Sequence, residues 1–134
     1  MPAIAKASIG KEPYLTRIRL GEHALSADEL PEDGGGGKGP SPMQLLASSL
    51  AGCTAITLRV YLSRKDWYVP EIQVVVSMES EEGLFSTNFD VKISFPGAEL
   101  DEDKRKRLLA IANKCPVHKL LSGELTFNTA LEGD

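Results

Sequence analysis

Residues 41–66 read SPMQLLASSLAGCTAITLRVYLSRKD, and this stretch carries the clearest secondary-structure signal in the chain. Ser41 can cap a helix that begins at Pro42, and Gln44 completes a Ser-x-x-Gln capping box. No further proline follows before Ser63, and apolar residues recur at spacings of three and four. We therefore predict a central helix over 41–66, whose many small residues would let another backbone approach closely.

On the amino-terminal side, residues 1–31 carry the pattern of a β-meander. Polar and apolar side chains alternate over 14–20, which predicts a strand, and weaker strand patterns cover 3–8 and 23–27. Residues 32–40 contain five glycines around Lys38, so we expect a flexible loop between the meander and the helix.

On the carboxyl-terminal side, residues 71–134 predict a β-hairpin, two helices and a last strand. The hairpin strands each place four apolar residues on one face, at 72–78 and at 89–95, with a turn at 80–83. A helix is expected over 100–114, a short helix after Pro116 that ends at Gly123, and a strand over 125–129. The whole chain is predicted to be a single α+β domain.

Composition excludes several classes of function. The chain has 134 residues, of which 42% are hydrophobic and 25% charged, and its formal net charge is -4. An acidic chain offers no electrostatic footprint for nucleic acid. No uninterrupted apolar run approaches the roughly 18 residues that a membrane span needs. We therefore expect a cytoplasmic protein that binds neither nucleic acid nor membranes.

The glycine run and the histidines carry little chemical signal. A phosphate-binding loop needs Gly-Lys followed by Ser or Thr at the start of a helix, whereas Lys38 is followed by Gly39 and Pro40. A metal site would need His23, His118 and the cysteines to converge without the short paired spacings of zinc sites. We predict neither a nucleotide site nor a metal site.

The two cysteines, Cys53 and Cys115, are the strongest candidates for chemistry. Cys115 precedes Pro116 and would cap the short helix, where backbone N–H groups favour a thiolate. Cys53 lies in mid-helix, where a buried and inert thiol is expected unless a cation from another segment reaches it. From the residues alone, two unrelated core cysteines remain an equal alternative.

Two motifs in this order resemble a known family. The stretch Gly39-Pro40-Ser41-Pro42-Met43-Gln44-Leu45-Leu46, then Ala51-Gly52-Cys53-Thr54-Ala55 with Arg59, and Ala112-Asn113-Lys114-Cys115-Pro116-Val117-His118 with Leu121 resemble the cysteine motifs of the OsmC/Ohr family of organic hydroperoxide reductases. The resemblance covers nearly the whole chain. It implies an OsmC-like fold, with antiparallel sheets around a long central helix in an intertwined homodimer.

The resemblance also implies the roles of individual residues. Cys53 matches the peroxidatic cysteine and Cys115 the resolving cysteine of a thiol-dependent peroxidase. Arg17 and Arg19 are candidates to stabilise the Cys53 thiolate, although a solvated position on the strand is the favoured interpretation of both, and Arg59 is a weaker candidate on the opposite helix face. The expected substrate pocket comprises Met43, Leu46, Leu50 and Trp67.

The implied reaction needs no bound cofactor. Organic hydroperoxides are the expected substrates, with hydrogen peroxide a second candidate, and an external dithiol of the lipoyl type or another thiol would be the reductant. Met43 and Gln44 stand where well-characterised members carry a glutamate. This difference motivates an alternative function, an OsmC-fold dimer that binds a small apolar ligand or partner with little peroxidase activity.

Overall fold

The structure is a computed structural model that describes residues 2–80 and 86–133. Within these residues it contains two antiparallel sheets, one long α-helix and two shorter helices, which confirms the α+β class. The residues group into two compact units, Met1–Ser48 and Ser49–Asp134. The expectation that the whole chain is one domain stays a prediction.

The first unit carries a three-stranded antiparallel sheet, in agreement with the predicted meander. Its strands are β1 (Lys6–Ile9), β2 (Thr16–Leu20) and β3 (His23–Ala27), in the spatial order β1-β2-β3. The turn between β2 and β3 contains Gly21 at φ 63°, a left-handed conformation that favours glycine. Arg17 and Arg19 lie two residues apart on β2 and therefore share one face of the sheet.

The glycine loop that follows is held by its own backbone contacts. The carboxylate of Asp28, which is 2% exposed, accepts the N–H groups of Glu29 at 2.8 Å and of Lys38 at 3.1 Å. A Cβ at Gly35 would collide with the carbonyl of Glu29, and a Cβ at Gly39 with the carbonyl of Ser26. Close packing of backbone on backbone thus accounts for glycine at these two positions.

The central helix α1 (Pro42–Lys65) begins with the predicted capping box. The Ser41 N–H donates to Gln44 Oε1 at 2.9 Å, and the Gln44 N–H donates to Ser41 Oγ at 3.2 Å. Arg64 and Lys65 occupy the last turn, where the helix dipole favours positive charge. Local signals therefore define both ends of this helix, within a residue of the prediction.

Much of the α1 surface is apolar and uncovered in the single chain. The buried residues Leu50, Thr54, Leu58 and Leu62 form one stripe at a spacing of four. By length and composition alone α1 could cross a membrane, a test that core helices of soluble proteins also pass. Only 22% of its most apolar 18-residue window is buried. Met43, Ile56 and Val60 are 63%, 67% and 45% exposed.

The second unit contains the predicted hairpin, formed by β4 (Gln73–Ser80) and β5 (Thr87–Ser94). Val74 pairs with Ile93, Val76 with Val91 and Met78 with Phe89, so the apolar side chains share one face as expected. Most of the turn predicted at 80–83 lies outside the described residues.

Two helices complete the second unit. Helix α2 (Glu102–Ala112) is capped by Asp101, whose side chain accepts the Lys104 N–H at 2.8 Å, and helix α3 (Pro116–Ser122) begins directly after Cys115. The core of the unit joins α1, α2 and the segment before the hairpin. Its buried members are Leu58, Leu62, Val69, Leu108 and Ala112.

The strand predicted over 125–129 is wrong for this chain, because residues 124–130 adopt no regular structure. Leu125 and Phe127 alternate with polar residues but are 48% and 84% exposed. A strand needs a neighbouring edge to receive its N–H and C=O groups, and within the described residues no strand pairs with this segment.

Candidate active site

The second unit brings the two cysteines together. Cys53 lies in the middle of α1, and Cys115 occupies the position before the first residue of α3. Both thiols are free, and the side chain of each interacts directly with the other. Cys115 is 0% exposed, whereas Cys53 is half-buried. This contact does not fit two unrelated core cysteines.

Two threonines of α1 contact the pair, one at each sulfur. The Thr57 hydroxyl interacts with the Cys53 thiol, and the Thr54 hydroxyl interacts with the Cys115 thiol. Thr54 is 2% exposed and its Oγ1 also donates to the Leu50 carbonyl at 2.8 Å. Each sulfur therefore has its own hydroxyl neighbour from the same helix.

The surroundings of Cys115 favour its ionised form. Burial raises the pKa of this thiol, but hydrogen bonding from Cys53, from the His118 N–H, from the Thr54 hydroxyl and from the Val117 N–H outweighs burial. The net pKa of Cys115 is therefore below its usual value. The Cys115 side chain makes no capping hydrogen bond to the first turn of α3.

The surroundings of Cys53 act in the opposite direction. Burial raises the pKa of its thiol, and the hydrogen bond to Cys115 and the charge of Cys115 raise it further. The Val117 N–H and the Thr57 hydroxyl lower the pKa, but by less. Within one chain, the more exposed thiol is thus the less acidic of the two.

A pocket of about 280 Å³ is lined by Leu50 and His118, and each of these residues lies one helical turn from one of the cysteines. Leu50 precedes Cys53 by three residues and His118 follows Cys115 by three. The lining residues are Leu50, Thr87, Phe89, Val91, His118, Leu121 and Ser122. The walls are mainly apolar, and a few hydroxyl and imidazole groups interrupt them.

The three arginines that are candidates to stabilise the Cys53 thiolate lie in different elements of the chain. Arg59 donates from Nη1 to the Val69 carbonyl at 2.9 Å, so its guanidinium anchors the segment after α1. Arg17 and Arg19 belong to the first unit, where they line a cavity of about 340 Å³ on the β-sheet together with Lys6. The role of Arg17 or Arg19 as a stabiliser of the Cys53 thiolate stays a prediction.

The four residues expected to form the substrate pocket occupy different environments. Leu50 lines the pocket described above. Trp67 packs against the core cluster and meets the Tyr61 ring edge-on at 5.7 Å, with the Lys104 ammonium 5.1 Å from its centroid. Met43 and Leu46 lie in the first unit and are 63% and 36% exposed.

The sequence motifs do not identify the threonines that lie beside the two sulfurs. Thr57 follows Cys53 at a spacing of four, which places both on one side of a helix, so this neighbour could have been found. Thr54 could not, because its contact with Cys115 depends on how α3 packs. His118 is half-buried and lines the pocket.

The described residues contain no group of three or more His, Cys, Asp or Glu side chains that could hold a metal ion. The glycine loop is engaged internally: the Lys38 ammonium pairs with Glu12, and the hydrogen bond from the Lys38 N–H lowers the pKa of Asp28.

Comparison with known proteins gives a consistent result. A family model described as OsmC-like protein matches residues 35–130. A protein of Mycoplasma pneumoniae named "Organic hydroperoxide resistance protein-like" is 28% identical over 97 residues, which cover 69% of this chain and 68% of that protein.

Solved structures share the fold. An OsmC-like protein from Mycoplasma pneumoniae has a TM-score of 0.74 at 20% identity, over 92% of this chain and 89% of that chain. An organic hydroperoxide resistance protein from Legionella pneumophila has a TM-score of 0.68 at 23% identity, over 92% and 90% of the two chains. Similarity at this level of identity shows a common architecture.

Proposed function

The chain belongs to the OsmC-like protein family, and from this we propose that it reduces organic hydroperoxides with the thiols of Cys53 and Cys115. The observation that carries the proposal is the proximity of these two thiols, which lie close enough for each to shift the pKa of the other. A relative named for organic hydroperoxide resistance supports the substrate class. Two thiols in contact can pass between a dithiol and a disulfide without a metal or an organic cofactor.

The proposed reaction has two steps before the enzyme is regenerated. The Cys53 thiolate attacks the terminal oxygen of the hydroperoxide, the O–O bond breaks, and the alkoxide leaves with a proton as an alcohol. Cys53 is then a sulfenic acid. The Cys115 sulfur attacks the Cys53 sulfur, hydroxide leaves with the Cys115 proton as water, and a disulfide remains. Two electrons pass from the thiol pair to the peroxide.

Exposure supports Cys53 as the sulfur that attacks the peroxide. Cys53 is half-buried, whereas Cys115 is 0% exposed, so a peroxide can reach only the former without movement of the chain. The raised pKa of Cys53 means that its thiolate needs a nearby cation, and the Arg59 guanidinium is bonded to the Val69 carbonyl instead. Arg17 or Arg19 of a second copy is the proposed source of that charge.

The apolar pocket supports an organic substrate over hydrogen peroxide. Leu50, Phe89, Val91 and Leu121 offer a surface for a hydrocarbon tail, and the pocket volume of about 280 Å³ exceeds the needs of hydrogen peroxide. Binding of the tail would also exclude water from the sulfurs. We therefore propose that alkyl or aryl hydroperoxides react faster than hydrogen peroxide.

A homodimer is part of the proposal, because the exposed face of α1 needs a partner. Ile56 and Val60 are largely exposed, and a Cβ at Gly52 would meet no atom within 4 Å. An open glycine beside exposed β-branched residues is suited to the close approach of a second helix. A second copy of α1 would cover this surface.

The deciding experiment is consumption of cumene hydroperoxide in the presence of dithiothreitol. We expect wild-type protein to consume the peroxide catalytically and Cys53→Ser to have only the background rate. In a separate reaction without dithiothreitol, Cys115→Ser should react once and retain a sulfenic acid that dimedone labels at Cys53. Wild-type activity no faster than Cys53→Ser would exclude the peroxidase function. A dimedone label at Cys115 in Cys53→Ser would reverse the two roles.

A second function is favoured by one observation, the raised pKa of Cys53, which makes the accessible thiol a weak nucleophile in the single chain. A family member that binds a small apolar ligand in the same pocket would need no reactive thiolate. Cumyl alcohol, the product of cumene hydroperoxide reduction, has no O–O bond and distinguishes the peroxidase function from the binding function. Tight binding of this alcohol without peroxide turnover would support the binding function.

A further inference from the structure

One face of the three-stranded sheet carries three cations and no acid. Residues that pair across antiparallel strands share a face, as do residues two positions apart on one strand. The register of the sheet therefore places two rows of side chains on this face, Lys6–Arg19–Ala24 and Ser8–Arg17–Ser26. All six residues line the cavity of about 340 Å³ on the sheet. We call this surface the basic face.

The pairing of Lys6 with Arg19 is unfavourable by itself. Like charges directly opposite each other on neighbouring strands destabilise a sheet, and Arg17 adds a third positive charge two residues from Arg19. All three side chains are exposed, and within residues 2–80 and 86–133 none of them forms a salt bridge with a carboxylate. The basic face thus concentrates positive charge in a chain whose formal net charge is -4.

We propose that the basic face binds the phosphate group of a small phosphorylated molecule. A bound phosphate would attract Lys6 and Arg19 to one common partner and so offset the repulsion between them. This site goes beyond the proposed peroxidase function, and its existence does not depend on that function.

The spacing of the cations suits a single phosphate group. The Cα atoms of Arg17 and Arg19 are about 7 Å apart along a strand, and the Cβ atoms of a cross-strand pair such as Lys6 and Arg19 are about 5 Å apart. Their long side chains can therefore converge on one anion. A guanidinium donates two parallel hydrogen bonds to phosphate, and an ammonium adds a compact charge.

The number of donors favours phosphate over a carboxylate. Ser8 and Ser26 add hydroxyl groups on the side where the three cations lie. A phosphate monoester carries nearly two negative charges and three acceptor oxygens, whereas a carboxylate carries one charge and two oxygens. Phosphate can therefore use more of the positive charge and more of the donors that this face presents.

The cavity also has room for an organic group attached to the phosphate. Ala24 ends the row that contains Lys6 and Arg19, and its side chain is only a methyl group. The volume of about 340 Å³ is that of a small-molecule site and exceeds the needs of a phosphate ion alone. We therefore expect a phosphate monoester as the ligand.

The first test is isothermal titration calorimetry of the full chain with inorganic phosphate and with glycerol phosphate, at constant ionic strength and slightly alkaline pH. We expect saturable binding of both, and Lys6→Gln to weaken it about twofold to fivefold, the effect of one exposed ion pair. Lys92→Gln is the matched control, because it removes the same charge from an exposed position on β5 that pairs with Val75. Absence of saturable binding, or equal weakening by both substitutions, would overturn the proposal.

Charge reversal distinguishes a ligand site from a surface that is merely basic. Lys6→Glu places a carboxylate opposite Arg19, so the chain itself supplies the anion that the ligand otherwise supplies. We expect the ligand-free variant to melt at a higher temperature than ligand-free wild type. Phosphate should raise the melting temperature of wild type but not of the variant. A lower melting temperature of the ligand-free variant, or an undiminished phosphate response, would contradict the proposal.

Other anions test the chemical class of the ligand. Chloride and acetate at the same ionic strength should raise the melting temperature of wild type less than phosphate does. An equal rise with either would indicate general screening of the like charges and would rule the site out. Sedimentation with phosphatidylcholine vesicles that contain phosphatidic acid tests a membrane surface. Binding to these vesicles without binding of glycerol phosphate would likewise refute a site for a small soluble ligand.

Arg17 and Arg19 are also the proposed source of charge for Cys53 of a second copy, and the two roles have different outcomes. We expect Cys53→Ser to bind phosphate as wild type does. Phosphate binding by Cys53→Ser alone would indicate that the thiolate occupies the arginines, which supports that role and overturns the phosphate site. Peroxide turnover without phosphate binding retains the proposed function and loses this inference, and phosphate binding without turnover does the reverse.

Discussion

At the scale of the residue, the acidity of a thiol in this chain follows its hydrogen-bond donors more than its burial. Cys115 is the more deeply buried of the pair, yet its pKa is lowered, because the Cys53 thiol and the N–H groups of His118 and Val117 act as donors toward its sulfur. Cys53 is more exposed and its pKa is raised, in part because it is one of those donors. The same contact thus shifts the two pKa values apart.

This asymmetry predicts how stability depends on pH. In Cys53→Ser the serine hydroxyl can still donate to Cys115, whose pKa remains below that of the unfolded chain. Between these two pKa values the folded state binds fewer protons than the unfolded state, so the free energy of unfolding rises with pH through this window. The gain is lost as the pH falls through the folded pKa, and amounts to about 1.4 kcal/mol for each unit of difference.

Urea unfolding at a series of pH values measures this effect. The reference is Cys53→Ser/Cys115→Ser, which has all other titrating groups in common, so the difference between the two stability curves isolates Cys115. We expect that difference to change in favour of Cys53→Ser as the pH rises. A difference that is flat, or that changes in the other direction, would contradict the assigned pKa direction.

At the scale of the element, α1 owes its start to a reciprocal pair of hydrogen bonds. The Ser41 and Gln44 side chains each accept the other residue's N–H, which satisfies two donors that a helix start leaves unpaired. Because the motif lies within four consecutive residues, it is readable from the sequence. Helix α2 shows the same logic with Asp101 as the cap.

Removal of the cap should destabilise the protein by a measurable amount. We expect Ser41→Ala to lower the free energy of unfolding by about 1 kcal/mol in urea denaturation, because the Gln44 N–H loses its partner. Ser48→Ala is a matched control on the same helix, since the exposed Ser48 hydroxyl only donates to the Leu45 carbonyl. Its effect should stay within about 0.5 kcal/mol, and equal effects of the two substitutions would argue against the capping box.

At the scale of the whole molecule, the single chain leaves an apolar helix surface exposed. The exposed side of α1 carries Ile56 and Val60, and the open Gly52 precedes Ile56 by four residues on the same side. Burial of such a surface against a second copy is the proposed reason for the homodimer. The same assembly would be the route by which Arg17 or Arg19 could approach Cys53.

The dimer is tested by a charge placed on α1. We expect Ile56→Glu, at a position 67% exposed in the single chain, to change the mass measured by sedimentation equilibrium from dimer to monomer. An unpaired carboxylate buried between two helices is strongly unfavourable. Leu109→Glu, at a position 62% exposed on α2, is the control and should remain dimeric. A monomeric wild-type protein would exclude the dimer.

The sequence alone determined the elements whose signals are local. The capping box, the alternating strands of the meander and hairpin, and the Cys115-Pro116 step each lie within a few residues, and each appears in the structure where it was predicted. The segment over 125–129 shows the limit of such patterns. It alternates like a strand but has no partner among the described strands, and pairing is a property of two segments.

The composition of the candidate active site depends on tertiary packing. Cys53 and Cys115 are 62 residues apart in the chain, and no local pattern states whether α3 packs with its first turn against the middle of α1. The same packing brings Thr54 to Cys115 and His118 to the pocket. Secondary structure follows from short-range hydrogen bonding and residue spacing, whereas contacts between distant thiols follow from how the core closes, which depends on all of its side chains together.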